Sequence, residues 1–236
     1  MSVKAIFFDL DGTLLPMDQE QFTKGYFKEL AAVLVPVTRI APEALVAAVW
    51  DGTKAMVKNT GEELNADVFW ARFSAATGLD TDLCRPLCDR FYSHEFHRAR
   101  QFTGENPLAA EAVALAHQKG RAVVLASNPL FPLVGQASRL SWVGLKPEDF
   151  DLVTSYESDR FCKPNPLYYT AICERLGAAP QDCLMIGNDE TEDMYAAKAA
   201  GLQCWLVTNC RIPSEAHPWD GPRETFAELV EMLRTL

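Results

Sequence analysis

The sequence is short of basic residues. Its 22 Lys and Arg stand against 32 Asp and Glu, a formal net charge of −10, and its pI is near 4.9. Nucleic-acid surfaces neutralise phosphates with clustered Lys and Arg, so this balance argues against a nucleic-acid partner. Arg98 and Arg100 are the densest basic cluster, and two arginines read as a solvated face. Long apolar runs are missing as well. None approaches the ~18 residues of a bilayer span, and the first residues lack a signal peptide's basic and apolar regions. The expectation is a soluble, cytoplasmic chain with no membrane partner. No C-x-x-C pair occurs. The seven cysteines (Cys84, Cys88, Cys162, Cys173, Cys183, Cys204 and Cys210) are scattered and odd in number. Such a pattern suits reduced thiols and excludes a disulfide framework or a zinc site. His94 and His97 lie one helical turn apart, but no second ligand pair follows at zinc spacing, so they receive no metal role.

What is present is ordinary for a globular protein: 48% hydrophobic and 23% charged residues in a chain of 236, long enough to bury a sizeable core. One stretch organises the rest. Residues 5–14 read AIFFDLDGTL, an apolar run ending in Asp9 and Asp11, followed by Gly12 and Thr13. A short continuous apolar run is the pattern of a strand buried on both faces. Side chains alternate along a strand, so Asp9 and Asp11 are expected on one side. Two carboxylates there repel each other unless a cation sits between them or one stays protonated. A capped, bent strand end is the plainer reading of the same residues.

From Asp18 to Arg100 the pattern is helical. Phe22, Tyr26, Phe27, Leu30, Ala31 and Leu34 mark a first helix that Pro36 is expected to stop. Pro42 opens a second through Leu45, Val46, Val49 and Trp50. Leu64, Val68, Phe69 and Phe73 mark a third ending near Gly78, and Leu83, Leu87, Phe91 and Phe96 a fourth. After Gly104, helices and buried strands alternate: a helix over 108–119 stopped by Gly120, then a strand over 122–126. A possible strand over 152–156 precedes a helix over 167–176. A strand over 183–186, a helix over 191–200 and a strand over 203–208 follow. A Pro-rich loop over 211–223 leads into a last helix over 224–236. This alternation implies βα units, a parallel sheet and helices on both faces. About 80 helical residues between the first two strands are too many for a connection, and imply an inserted domain.

Reactive side chains recur just past strand ends, all on one sheet edge. Ser127 and Asn128 follow AVVLA, Lys163 lies in FCKPNP, and Asp189 and Asp193 follow CLMIGN within GNDETED. Helix capping accounts for one or two of these acids. A divalent cation gives the crowd a reason, and oxygen donors without His or Cys suit Mg²⁺. For Lys163 alone, a solvated surface lysine is the plainer reading.

These motifs, in this order, resemble those of the haloacid dehalogenase superfamily: DLDGT, Ser-Asn after a strand, Lys-Pro, then GNDETED. The loop before the lysine reads SDRFCKP, where family members often carry a glycine. The resemblance implies an α/β fold: a Rossmann-like three-layer α/β/α core with a parallel sheet over residues 1–16 and 101–236, and an inserted all-helical cap domain over 17–100. It also implies a Mg²⁺-dependent phosphatase acting on a small phosphorylated metabolite through an aspartyl-phosphate. Asp9 would be the nucleophile and Asp11 the general acid and base. Ser127 and the Asn128 N–H would hold phosphoryl oxygens, Lys163 would neutralise charge, and Asp9, the Asp11 carbonyl and Asp189 would bind Mg²⁺. Asp193 would orient Lys163 or a metal-bound water. Dehalogenases of the family lack the acid at position 11, so its presence favours phosphate esters. Two other readings stay open: a phosphosugar mutase sharing every core residue, and a non-catalytic scaffold. Phe22, Tyr26, Trp50 and Trp70 are candidates for the inner surface of the insert, but their helical spacing favours its own core, and no residue is assigned to substrate selection.

Overall fold

The computed structural model describes residues 3–118 and 121–235. Six strands form one sheet: β1 (Ala5–Phe8), β2 (Ala122–Leu125), β3 (Leu152–Val153), β4 (Cys183–Gly187), β5 (Gln203–Val207) and β6 (Arg223–Glu224). Every pairing is parallel, in the order β3-β2-β1-β4-β5-β6. Successive residues of the central strands feed two separate cores, as period-2 alternation requires. Ile6, Phe8, Val123, Leu125, Leu184 and Ile186 face one core. Ala5, Phe7, Val124, Cys183 and Met185 face the other. Strands with apolar residues at consecutive positions need a layer on each side, and helices supply both. α5 (Ala109–Gln118) and α9 (Phe226–Thr235) cover the first face with Ala112, Val113, Leu229 and Leu233. α7 (Pro166–Leu176) and the short α8 (Ala196–Ala199) cover the second with Tyr168, Tyr169, Ile172 and Ala197.

Between β1 and β2 the described residues form helices and no strand: α1 (Gln19–Thr38), α2 (Pro42–Val57), α3 (Asn65–Thr77), α4 (Thr81–Ser93) and a 3₁₀ segment over Glu95–Phe102. Asp18 caps α1 through its carboxylate, which accepts from Gln21 N at 2.9 Å. Pro36 does not stop this helix, which runs on to Thr38 and ends at Arg39 in the left-handed region. So close to the end, a proline forfeits one backbone bond without a turn beyond it to kink. Gly78, at φ 71°, ends α3 as expected. The fourth predicted helix divides at His94, so Phe96 stands in the 3₁₀ segment. The sequence pattern assigned no helix between Asn128 and Leu152, yet α6 (Leu133–Ser141) lies there. The expected strand over 152–156 shortens to two residues, and just beyond it Thr154 donates its hydroxyl to the Ser127 carbonyl at 2.6 Å. The predicted Gly120 stop lies outside the described residues.

Among the described residues no single helix is long and apolar enough to cross a membrane. α1 and α2 reach that composition only as a pair, across a 111° bend. Their apolar faces (Phe22, Leu30, Leu34, Leu45, Val49) are spent on the protein's own core.

Candidate active site

In the strand order the direction of winding reverses between β1 and β4, and the crevice beyond the carboxyl ends of such a pair is where open α/β sheets take ligands. The two strands are locked there by the Asp9 N–H, which donates to the Ile186 carbonyl at 2.9 Å. β1 stops at Phe8, so strand alternation does not place the carboxylates. A tight turn does, with Leu15 N and Thr13 N both donating to the Leu10 carbonyl and Gly12 N donating to that of Leu15. Gly12 has φ 92°, and a Cβ there would run into the Asn188 amide. That amide ties the two loops together, accepting from the Thr13 hydroxyl at 3.1 Å and donating to the Cys210 carbonyl at 2.7 Å. Gly12→Ala is therefore expected to cost about 2 kcal/mol from the left-handed backbone alone. Thermal unfolding should register that as a Tm lowered by about 4–8 °C.

Lys163 is buried and bridges two carboxylates, with Nζ 2.8 Å from Asp9 Oδ1 and 2.6 Å from Asp193 Oδ1. The loop SDRFCKP thus carries the lysine to Asp9. The Lys163–Pro164 peptide is cis, and Asn165 caps the helix that follows, accepting from Leu167 N at 3.0 Å. Burial opposes the lysine's charge, but Asp193 and Asp9 outweigh it and hold its pKa well above the usual value. Asp9 feels the opposite imbalance. Burial pushes its carboxyl up to about 8 against the pull of Lys163, and Asp193 and Asp11 add to the rise. One lysine does not balance this group of acids.

Asp193 does two jobs. Its Oδ1 holds Lys163, while Oδ2 accepts the N–H groups of Asn188 and Asp189, each at 3.0 Å. Gly187 makes room for it, since a Cβ there would overlap its carboxylate. Asp189 caps the following helix, its Oδ1 accepting from Thr191 N at 2.7 Å and Glu192 N at 2.8 Å. That helix begins as a π-turn over Glu190–Tyr195 before α8, not as the single α-helix expected over 191–200. Asn128 joins the loops, with Oδ1 accepting from Lys163 N at 3.2 Å and Nδ2 donating to Glu192 Oε2 at 3.0 Å. Ser127 is buried beside it and lines the same cavity as Asp9 and Asp11.

Two site residues carry no sequence signal. Glu192 was indistinguishable from the capping acids around it, yet it lines the cavity, and burial raises its carboxyl to about 7. Arg139, on α6, is fully buried and forms an ion pair with Asp11 Oδ2 through Nη1. Its Nη2 donates to Gln136 Oε1 at 2.6 Å, and its guanidinium lies 4.1 Å from the centre of the Phe131 ring. The other Asp11 oxygen, Oδ1, is buried without a hydrogen-bond partner.

The donor set fits a hard divalent cation. Asp9 and Asp189 each commit Oδ1 to hydrogen bonds and keep a second oxygen free of them among the described residues, on a cavity both residues line. No three Cys, His, Asp or Glu side chains among the described residues form a ready-made metal cluster. Two carboxylates and the Asp11 carbonyl would leave water to complete the shell, as Mg²⁺ prefers. The second observation in favour is the pair of neighbouring acids, Asp193 and Asp11, whose charges add to the burial that raises Asp9.

The cavity above these residues measures about 370 Å³ and is walled by the sheet-edge loops and the helices that follow β1. Phe22, Tyr26, Trp50 and Trp70, for which helical spacing favours the insert's core over its inner surface, all line it. Phe22, Tyr26 and Trp70 are also buried in the core, so a single layer of aromatic side chains serves both purposes.

The phosphoglycolate phosphatase of Nitrosospira multiformis is 29% identical over 217 residues, covering 88% of this chain and 84% of that protein. The phosphoglycolate phosphatase of Escherichia coli K12 is 27% identical over 250 residues, covering 99% and 92%. A solved HAD phosphatase from Thermococcus onnurineus superposes with a TM-score of 0.63 at 20% identity, over 98% of this chain and 97% of that one. The family model for haloacid dehalogenase-like hydrolases matches residues 3–201. With its parallel sheet and its acids gathered at the β1–β4 crevice, the chain belongs to the haloacid dehalogenase-like hydrolases.

Proposed function

We propose that the protein is a Mg²⁺-dependent phosphatase that hydrolyses a small-molecule phosphate monoester through an aspartyl-phosphate on Asp9. The observation that carries this reading is the buried Asp9–Lys163–Asp193 chain, opening onto a cavity that also holds Asp11. A scaffold has no use for so many charges withdrawn from water. The names of the relatives supply the phosphate-ester class.

Asp9 would attack phosphorus, forming the acyl-phosphate bond as the ester P–O bond breaks, and Asp11 would give its proton to the departing alkoxide. Asp11 would then take a proton from water as that water attacks phosphorus, releasing Asp9 and inorganic phosphate. Lys163, held by Asp193, would neutralise the nucleophile and the phosphoryl oxygens, while Ser127 and the Asn128 N–H would orient those oxygens. Asp9, the Asp11 carbonyl and Asp189 would hold Mg²⁺, which when bound would supply Lewis-acid neutralisation of phosphoryl charge. Residues 1–16 and 101–236 would be the catalytic core, and 17–100 a cap that closes over the substrate and excludes water.

The test is phosphate release from p-nitrophenyl phosphate. With Mg²⁺ the wild type is expected to turn over, and chelation by EDTA should lower the rate about a hundredfold, reversibly on adding Mg²⁺ back. A rate indifferent to both treatments would overturn the metal assignment.

A further inference from the structure

The cavity's chemistry is divided sharply. Its floor is polar: Asp9, Asp11, Ser127, Asn128 and Asp189 stand where a phosphoryl group would react. Its far wall is built from α1, α2 and α3 by Leu30, Leu34, Val49, Phe69 and Phe73. Several polar groups on the walls are engaged within the protein. Tyr26 and Tyr92 bond to each other at 2.8 Å, Trp70 Nε1 donates to Tyr156 Oη at 3.2 Å, and Thr53 Oγ1 donates to the Val49 carbonyl at 2.9 Å. Among the described residues no Lys, Arg or His lines the cavity. The two buried cations nearest the floor, Lys163 and Arg139, are each engaged with carboxylates.

We infer that the leaving group is an uncharged, apolar alcohol, alkyl or aryl, seated against Leu30, Leu34, Val49, Phe69 and Phe73. This rests on the phosphatase reading above and narrows it. A second anionic group on the substrate would enter an aromatic pocket with no cation to meet it, and burying an unpaired carboxylate is among the most unfavourable transfers a site can ask for. A sugar's hydroxyls fare little better, because Leu30, Leu34, Val49, Phe69 and Phe73 offer them no side-chain partner and each hydroxyl buried there would lose water without replacement. An apolar group gains at every methylene. At about 370 Å³, the space lies within the range of small-molecule sites, ~300–1,000 Å³.

The experiment is a series of ethyl, butyl, hexyl and octyl phosphate, whose leaving groups differ little in intrinsic reactivity, set beside 2-phosphoglycolate and p-nitrophenyl phosphate. kcat/KM is expected to climb about two- to fourfold per methylene, placing octyl phosphate at least a hundredfold above 2-phosphoglycolate. Val49→Phe, which fills the far end, should lower the octyl-to-ethyl ratio about tenfold. Binding to Asp9→Asn protein, followed by calorimetry and by the fluorescence of Trp50 and Trp70, should show the same order without turnover. Hydrolysis of p-nitrophenyl phosphate with a flat alkyl series, or with 2-phosphoglycolate preferred, overturns the apolar leaving group and leaves the phosphatase standing. Tight octyl phosphate binding with no phosphate released from any ester does the reverse. Neither release nor an octyl preference in binding overturns both.

Discussion

Asp9→Asn is expected to remove phosphate release almost entirely, by roughly 10⁴-fold or more, the scale on which removing a covalent nucleophile acts. An amide does not attack phosphorus, and the other carboxylates are held elsewhere: Asp11 by Arg139, Asp193 by Lys163 and two backbone N–H groups, Asp189 as the cap of its helix and Glu192 by Asn128. The same substitution should leave the protein folded. The Asn carbonyl can still accept from Lys163, and burial already works against the charged form of Asp9, whose carboxyl it pushes up to about 8. Exchanging that carboxylate for a neutral amide of equal size relieves desolvation while it weakens one ion pair, so Tm should move by only a few degrees. Acid quenching during turnover of a ³²P-labelled ester supplies the direct readout. Wild-type protein should carry acid-stable, hydroxylamine-labile label, and the variant none. Activity retained within tenfold would mean that water attacks phosphorus directly and that Asp9 serves only as a ligand.

How much of this arrangement the sequence discloses depends on how local its cause is. The strand at residues 5–8 is legible because four consecutive apolar side chains satisfy a strand covered on both sides, and Ala5, Ile6, Phe7 and Phe8 are all buried, divided between the two cores. The fold class follows from repeating that pattern at Val123, Leu184 and Leu206. The strand-end pattern puts Lys163 and Asp193 on the sheet edge that carries Asp9, but only the resemblance gives them a role. Nothing in FCKPNP distinguishes a lysine between two carboxylates from one in solvent. Arg139 was not legible at all. It sits in QASRLS, on a helix the apolar pattern had not marked, and a helical arginine ordinarily faces water. Its burial comes from tertiary placement: α6 packs under the turn after β1, Gln136 anchors to the Thr154 carbonyl at 3.1 Å, and Phe131 covers the guanidinium. The cavity lining is only partly legible for a related reason. Helical spacing identifies which face of α1 is apolar, but not that Phe22 and Tyr26 sit where that face borders empty space as well as neighbouring side chains.

The buried arginine leads to the second large effect. Arg139→Met keeps the volume and removes the charge, leaving the Asp11 carboxylate with one oxygen already unpartnered and the other newly so. Breaking one side of a buried pair costs about 3–5 kcal/mol. Asp11 keeps 20% of its side-chain surface exposed, so the lower figure applies, and Tm should fall by about 6–12 °C. Adding Asp11→Asn should recover at least half of that loss, because the penalty belongs to the stranded charge and not to the missing arginine, and a double-mutant cycle isolates the coupling. Activity should behave differently, with no recovery in the double variant. Arg139 is not on the cavity surface; on the proposed mechanism it would act through Asp11, whose Oδ2 it holds and whose carboxyl it would keep oriented for the proton transfer. The loss should therefore follow the leaving group. For an alkyl phosphate, whose alkoxide needs a proton to depart, kcat/KM should fall about 10²–10³-fold, within the range of general acid catalysis. For p-nitrophenyl phosphate, whose phenolate departs unaided, it should fall tenfold or less. Equal losses on both esters would mean that Arg139 supports the fold around the site without positioning its acid. A dependence on leaving-group basicity would make it part of the proton path, one buried contact removed from the substrate.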